Sequence, residues 1–190
     1  MATNNRAMQE EIRVLLDSLP KTEASFIEPM ECLSVSKLPG GDQWIWEIKV
    51  DGYRALAVKS RTDLTLFSRR KKSFNRQFPH IVEALADLPE ETVVDGEVVA
   101  IDENGRPDFN LLQNFRAEAS RIHYYVFDLL CWQGRDFTRL ALIERRALLK
   151  GFLVVEDKRV RIVDYVEATP KRLALRSPRA KARRDHWETK

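Results

Sequence analysis

The chain has 190 residues, 44% of them hydrophobic and 32% charged, with two cysteines, three histidines and a formal charge of +3. That composition suits one domain with a sizeable core, and it excludes a chain that is unfolded throughout. There is no apolar run near the ~18 residues that cross a bilayer and no secretory apolar segment at the N-terminus. Cys32 and Cys131 are far apart in sequence, and His80, His123 and His186 lack ligand spacing, which argues against both a disulfide framework and a zinc site.

Ile12, Leu15 and Leu16 fall at helical spacing within residues 6–18, and Pro20 closes that helix. After the Pro39-Gly40-Gly41 turn the pattern alternates from Trp44 to Val50, predicting a strand with Trp44, Trp46, Ile48 and Val50 on one face. Further strands are expected at Tyr53–Lys59 and Leu64–Ser68, the three forming an antiparallel meander. Helical spacing returns over Phe78–Leu88. A β-branched strand follows at Thr92–Ile101, a helix at Asn110–Glu118 and an aromatic-rich strand at Ile122–Leu130, closed by a Gln133-Gly134 turn. Leu142–Leu149 reads as a helix with Glu144, Arg145 and Arg146 on its wet side, and Val160–Val166 as a last strand. Beyond Thr169 the periodicity stops. Residues 168–190 hold eight bases and two acids, a net of +6, so the first 167 residues carry −3. The expected class is α+β.

The chemistry is concentrated in Glu47-Ile48-Lys49-Val50-Asp51-Gly52-Tyr53-Arg54. Alternation puts Glu47, Lys49 and Asp51 on one strand face. A lysine amine between two acids suits work beside a metal or nucleotide, and it is a nucleophile once deprotonated. Gly52 lets the backbone turn and allows close approach of a ligand, and Arg54 is placed to meet phosphate or ribose. Alone, such a segment also fits a solvated strand.

Lys49-Val50-Asp51-Gly52-Tyr53-Arg54 resembles motif I of the covalent nucleotidyltransferases, the family of ATP-dependent DNA ligases, RNA ligases and mRNA capping enzymes. In order, Leu66-Phe67-Ser68-Arg69-Arg70 resembles motif Ia, Val93-Val94-Asp95-Gly96-Glu97 motif III, and Tyr125-Val126-Phe127-Asp128-Leu129-Leu130 motif IIIa. Phe26-Ile27-Glu28-Pro29-Met30, Ser73 to Pro79 and Pro107-Asp108-Phe109-Asn110 are similar to the bacterial end-joining class of DNA ligase. The resemblance spans about residues 26–172. It implies an ATP-grasp-like ligase adenylation fold of antiparallel sheets flanked by helices. Lys49 would attack the α-phosphate of ATP and form lysyl-AMP, with the AMP then passed to the 5′-phosphate of nicked DNA and displaced by the 3′-hydroxyl. Glu47 would lie beside adenine, Phe127 would stack on it, and Asp51 would belong to the same nucleotide site. Arg54 and Arg69 would meet ribose, α-phosphate or the DNA end. Glu97 would hold the ribose hydroxyl or a magnesium ion. Arg69, Arg70, Lys71, Lys72 and Arg76, with Phe74 and Phe78 interleaved, read as a patch for DNA phosphates.

The family's motif IV, roughly Glu-Gly-Ile/Val-x-x-Lys, and its motif V lysine pair do not follow Val166. One codon choice for Arg183–Thr189, read in the neighbouring frame, encodes Glu-Gly-Ile-Ile-Gly-Lys, which leads to the expectation of a frameshift between about Arg172 and Ser177. The expected organisation is a helical extension (1–25), a partial adenylation domain (26–172), incomplete at its C-terminus, and a basic tail (173–190) that is disordered or out of frame, with no OB-fold domain. The expected partners are nicked or broken double-stranded DNA and end-binding repair proteins. The expected setting is a cytoplasmic monomer with no membrane contact. Two other readings stay open: an RNA ligase or capping-type enzyme, and a non-catalytic nucleic-acid-binding remnant.

Overall fold

The computed structural model describes residues 2–31, 33, 36, 44–47, 49–114, 119–166 and 188–189. In chain order the elements are α1 (Ala2–Ser18), β1 (Trp44–Glu47), β2 (Tyr53–Lys59), β3 (Leu64–Ser68), α2 (Pro79–Ala84), β4 (Thr92–Ala100), α3 (Phe109–Gln113), a 3-10 turn (Ala119–Arg121), β5 (Ile122–Trp132), β6 (Arg135–Asp136), α4 (Leu142–Phe152), β7 (Val160–Ile162), β8 (Tyr165–Val166) and β9 (Glu188–Thr189). The class is α+β, as the periodicity predicts.

The main sheet runs β3-β2-β4-β5-β6, antiparallel throughout, with β7 added parallel to β5. Strand alternation divides its two faces. One face carries Ala55, Ala57, Val94, Val98, Tyr124 and Val126. It packs in one core with Ile81 and Leu85 from the α2 region, Leu112 of α3 and Leu149 of α4. The other face carries Leu56, Val58 and Val93, which pack with Leu130, Cys131, Phe67 and the incoming segment Ala24, Phe26 and Ile27. Farther along this second face the apolar residues give way to Arg54, Asp95 and Glu97.

Several sequence expectations are corrected. β1 does not pair with β2, so there is no three-stranded meander: β1 sits between β8 and β9 in a separate small sheet. Ile45 and Trp46 are both 2% exposed, so β1 is buried on two sides rather than alternating. The strand ends at Glu47, and Lys49 and Asp51 therefore lie in a loop instead of sharing a strand face with it. The expected last strand, Val160–Val166, splits: β7 joins the main sheet and β8 the small one, with Val163 and Asp164 between. The helix expected over Phe78–Leu88 spans only Pro79–Ala84, and that expected over Asn110–Glu118 is regular over Phe109–Gln113, with 115–118 outside the described residues. Phe78 is 1% exposed in the core, and Phe74 packs on Tyr53 and Phe78, so these rings do not interleave with the exposed bases.

The turn after β5 was legible. Gln133 and Gly134 both take positive φ, 48° and 74°, the geometry of a tight two-residue hairpin between β5 and β6. Cys131 is a free, buried thiol. Of the basic tail, Glu188 and Thr189 pair with Ile45 and Trp44; the frameshift expected in the tail falls on residues outside the described ones. No helix among the described residues is long and apolar enough to cross a membrane.

Candidate functional site

Lys49 Nζ lies 3.6 Å from Asp51 Oδ1, both side chains about half exposed. The loop that carries them runs down onto β4 at Gly52. A Cβ at Gly52 would stand 2.1 Å from the Val98 carbonyl oxygen and 2.9 Å from Glu97 Cγ, so only glycine permits this approach. The Gly52 backbone N–H lies close enough to the Glu97 carboxylate to favour its charged form. The contact fixes the lysine loop to the strand that carries the acids.

β2 then presents Arg54 opposite Glu97 in the β2–β4 register. Its guanidinium is bidentate on Asp95, with Nε–Oδ1 at 2.8 Å and Nη2–Oδ2 at 2.6 Å. The same guanidinium lies over the Phe127 ring, 4.6 Å from its centroid. Asp95, Arg54 and Phe127 thus form one stack across three strands. Burial pushes the Asp95 carboxyl up, and the Arg54 guanidinium opposes that shift. Burial pushes Glu97 up to about 7, against the pull of Arg54, the Gly52 N–H and Lys49. Glu97 therefore titrates near neutrality, and it senses the charge on Lys49.

The cross-strand register extends the row. Arg54 faces Glu97, Glu97 faces Tyr125, and Tyr125 faces Arg161 of β7. Cross-strand partners share a face, so the row carries a base, an acid, a phenol and a second base over four strands. Gly96 beneath it is required from the other side. A Cβ there would meet the Tyr125 carbonyl oxygen at 2.5 Å and the Tyr124 ring at 2.6 Å. Tyr124 crosses under Gly96 to bring its hydroxyl within 2.9 Å of the Ala55 carbonyl oxygen, to which it donates.

Glu47 approaches from the small sheet. Its carboxylate pairs with Arg146 of α4, which also donates to the carbonyl oxygens of Phe127 at 2.7 Å and Val163 at 2.8 Å. The neighbouring Arg145 is bidentate on Asp128, at 2.8 and 2.7 Å. Arg145 and Arg146 are 8% and 1% exposed, which reverses the expectation that they face water. The signal was present: Leu142, Arg145, Arg146 and Leu149 stand at i, i+3, i+4 and i+7, the spacing of a buried helix stripe. Charge led to the wrong face, because a buried arginine needs a partner on another element that spacing does not reveal. Asp95, an acid within the apolar strand β4, is paired with Arg54.

The exposed bases Arg69, Arg70, Lys71, Lys72 and Arg76 sit on and beside the turn that follows β3. Lys71 takes φ 58°, and the Lys71 N–H donates to the Ser68 carbonyl. Ser68 pairs with Ala55, so the turn begins beside the Arg54 end of β2. Arg69 pairs with Glu31, and Lys71 lies 5.6 Å over the Phe26 ring. No described contact joins these bases to Lys49. For a divalent cation, no group of three or more ligating side chains occurs among the described residues, and Asp95 is committed to Arg54. The donor set fits magnesium only in the manner usual for that ion, with Glu97 as one protein ligand and phosphate oxygens and water as the rest.

The family described as ATP dependent DNA ligase domain matches residues 26–177. The multifunctional non-homologous end joining protein LigD of Pseudomonas aeruginosa is 37% identical over 131 residues, 67% of this chain and 16% of that protein. The SPbeta prophage-derived DNA ligase-like protein LigB of Bacillus subtilis is 31% identical over 129 residues, 66% of this chain and 47% of that protein. The chain thus spans a sixth to a half of these curated relatives. Among solved structures, the ligase domain of M. tuberculosis LigD superposes with a TM-score of 0.63 at 26% identity, covering 91% of this chain and 57% of that one. A mycobacterial DNA ligase D complexed with ATP and MES gives 0.63 at 25% identity, covering the same shares. The fold is the nucleotidyltransferase fold of ligase domains, and the chain belongs to the ATP-dependent DNA ligase domain family.

Proposed function

We propose that this chain carries the nucleotide-binding part of an ATP-dependent DNA ligase and that Lys49 is its nucleophile. The observation that carries the reading is the Gly52 contact, which ties the Lys49 loop to Glu97 beside Arg54 and Phe127. In the proposed reaction the free Lys49 amine attacks the α-phosphorus of ATP. A P–N bond forms, the bond to the bridging oxygen breaks, pyrophosphate leaves, and Nζ gives up a proton to solvent. Asp51 holds Nζ in place before attack. Arg54 and Arg69 neutralise phosphate charge, Glu97 accepts from the ribose hydroxyl, Phe127 supplies the stacking surface, and Glu47 lies at the base edge. Magnesium, held by Glu97 and phosphate oxygens, would offset charge on the leaving pyrophosphate.

The AMP then activates a 5′-phosphate, and the 3′-hydroxyl displaces it to seal nicked or broken double-stranded DNA in the cytoplasm, with end-binding repair proteins as partners of a monomeric ligase. The exposed bases of the β3 turn contact DNA phosphates. Residues 167–190 carry neither the motif IV acid nor the motif V lysine pair, so adenylylation by these 190 residues alone is expected to be impaired. Incubation with radiolabelled ATP and magnesium, followed by a denaturing gel, tests the reading. Label on wild type that is lost in Lys49→Ala supports it. No label on wild type, with the fold intact, favours a non-catalytic nucleic-acid-binding remnant.

A further inference from the structure

The two side chains assigned to the base end of the nucleotide come from different sheets. Glu47 ends β1 of the small sheet and Phe127 lies on β5 of the main one. One side chain spans the gap. Arg146, 1% exposed on α4, pairs with the Glu47 carboxylate and donates at 2.7 Å to the Phe127 carbonyl and at 2.8 Å to the Val163 carbonyl. Its guanidinium also lies 5.2 Å from the centroid of Tyr165, the β8 residue that pairs with Glu47. The planar fork satisfies groups in three directions at once, which a lysine cannot reproduce.

We infer that Arg146 is a positioning residue for base selection: it sets the distance between the Glu47 carboxylate and the Phe127 ring, and presents that carboxylate to the base edge. The inference rests on the nucleotide reading given above. A carboxylate held in an ion pair offers acceptor lone pairs only. It accepts from the 6-amino group of adenine and repels the 6-oxo group of guanine, so the pair favours ATP over GTP. Arg145 is the natural comparison. It is equally part of α4 and buried, but it is committed to Asp128 and the Leu140 carbonyl.

The test is calorimetric titration of the full chain with ATP and with GTP, with thermal melting alongside. Arg146→Lys is expected to weaken ATP binding about tenfold and to lower the ATP-to-GTP affinity ratio by a similar factor, the loss of one charge-assisted contact. Combined with Glu47→Gln, it should change the ratio no further than Glu47→Gln alone. Arg145→Lys should lower the melting temperature and leave the ratio unchanged. If Arg146→Lys does not fold, Glu47→Asp is the second variant: it keeps the charge and withdraws the carboxylate from Arg146 by one methylene, and the ratio should again fall. A folded Arg146→Lys or Glu47→Asp with the wild-type ratio overturns the inference alone. Wild type that binds neither nucleotide overturns the underlying reading, and this inference with it.

Discussion

Glu97 is the residue whose environment makes the sharpest claim. Its carboxyl is pushed up to about 7 by burial, against an ordinary value of 4.5. The folded chain therefore holds a proton that the unfolded chain releases at lower pH. The stabilisation from the protonated form is complete below about 4.5 and is lost as pH rises through about 7. Asp95 is raised in the same direction and adds to the effect. Urea melts of wild type across this window should show stability falling with pH, and Glu97→Gln should flatten that slope. A slope that the substitution leaves unchanged would remove Glu97 as its source. Gly52 makes a second claim at this scale. In Gly52→Ala the new Cβ meets a backbone carbonyl, not a flexible side-chain end, so the loop itself must move. Lys49 moves with it, and nucleotide labelling should fall at least tenfold while the melting temperature drops by only a few degrees, the cost of local overpacking.

At the scale of elements, α4 packs Leu149 into the core and is also tied by charge to both sheets, through Arg145 to Asp128 and through Arg146 to Glu47. Asp128 and Arg145 form a buried bidentate pair between β5 and α4. Removing one partner leaves the other buried and uncompensated, which costs about 3–5 kcal/mol. Arg145→Met alone should therefore destabilise severely, and Arg145→Met with Asp128→Leu should recover most of the loss in a denaturant melt. The C-terminal turn of the same helix offers a change of opposite sign. A Cβ at Gly151 meets nothing within 4 Å, and alanine is a better helix former, so Gly151→Ala should stabilise by about 0.5–1 kcal/mol. These elements also show what a sequence can and cannot convey. The strands β2 to β5 were legible as short apolar runs, β-branched in β4 and aromatic-rich in β5, bounded by turn residues. The partition into two sheets was not. Trp44–Glu47 and Tyr53–Lys59 are only five residues apart and read as neighbours, yet β1 pairs with β8 and β9. Periodicity reports the faces of a strand and not its partner, and long-range pairing is what separates the sheets.

For the whole molecule, the distribution of charge matters more than its total. The formal +3 arises from residues 168–190, with a net of +6, on a body of −3, so bulk charge says little about where DNA would lie. Of the candidate site, the sequence motifs supplied residues that the fold brings near one another: Lys49, Asp51, Arg54, Glu97 and Phe127 lie around the Gly52 contact. The partners that hold two of the candidate residues, Asp95 for Arg54 and Arg146 for Glu47, could not be assigned from the sequence, because each pairing is visible only from the element across from it. The basic turn after β3 is a cluster of exposed bases that begins beside the Arg54 end of β2, and it supplies the remaining prediction. If Arg70 and Lys72 contact DNA phosphates, each releases counterions on binding, and affinity for nicked duplex falls steeply with salt. Replacing either by alanine should weaken binding alike for every duplex sequence and lower the slope of log affinity against log salt by about one. Removing the tail after Thr169 separates the two sources of positive charge. A slope carried by the β3 turn survives that truncation, and a slope carried by the tail disappears with it. Fluorescence anisotropy on a nicked duplex over a salt series measures both. If the slope vanishes on truncation and is indifferent to Arg70→Ala and Lys72→Ala, the β3 turn is not the DNA contact. If it survives truncation and drops with each alanine, DNA is held at the same end of the sheet as Lys49, where an AMP-activated end would have to lie.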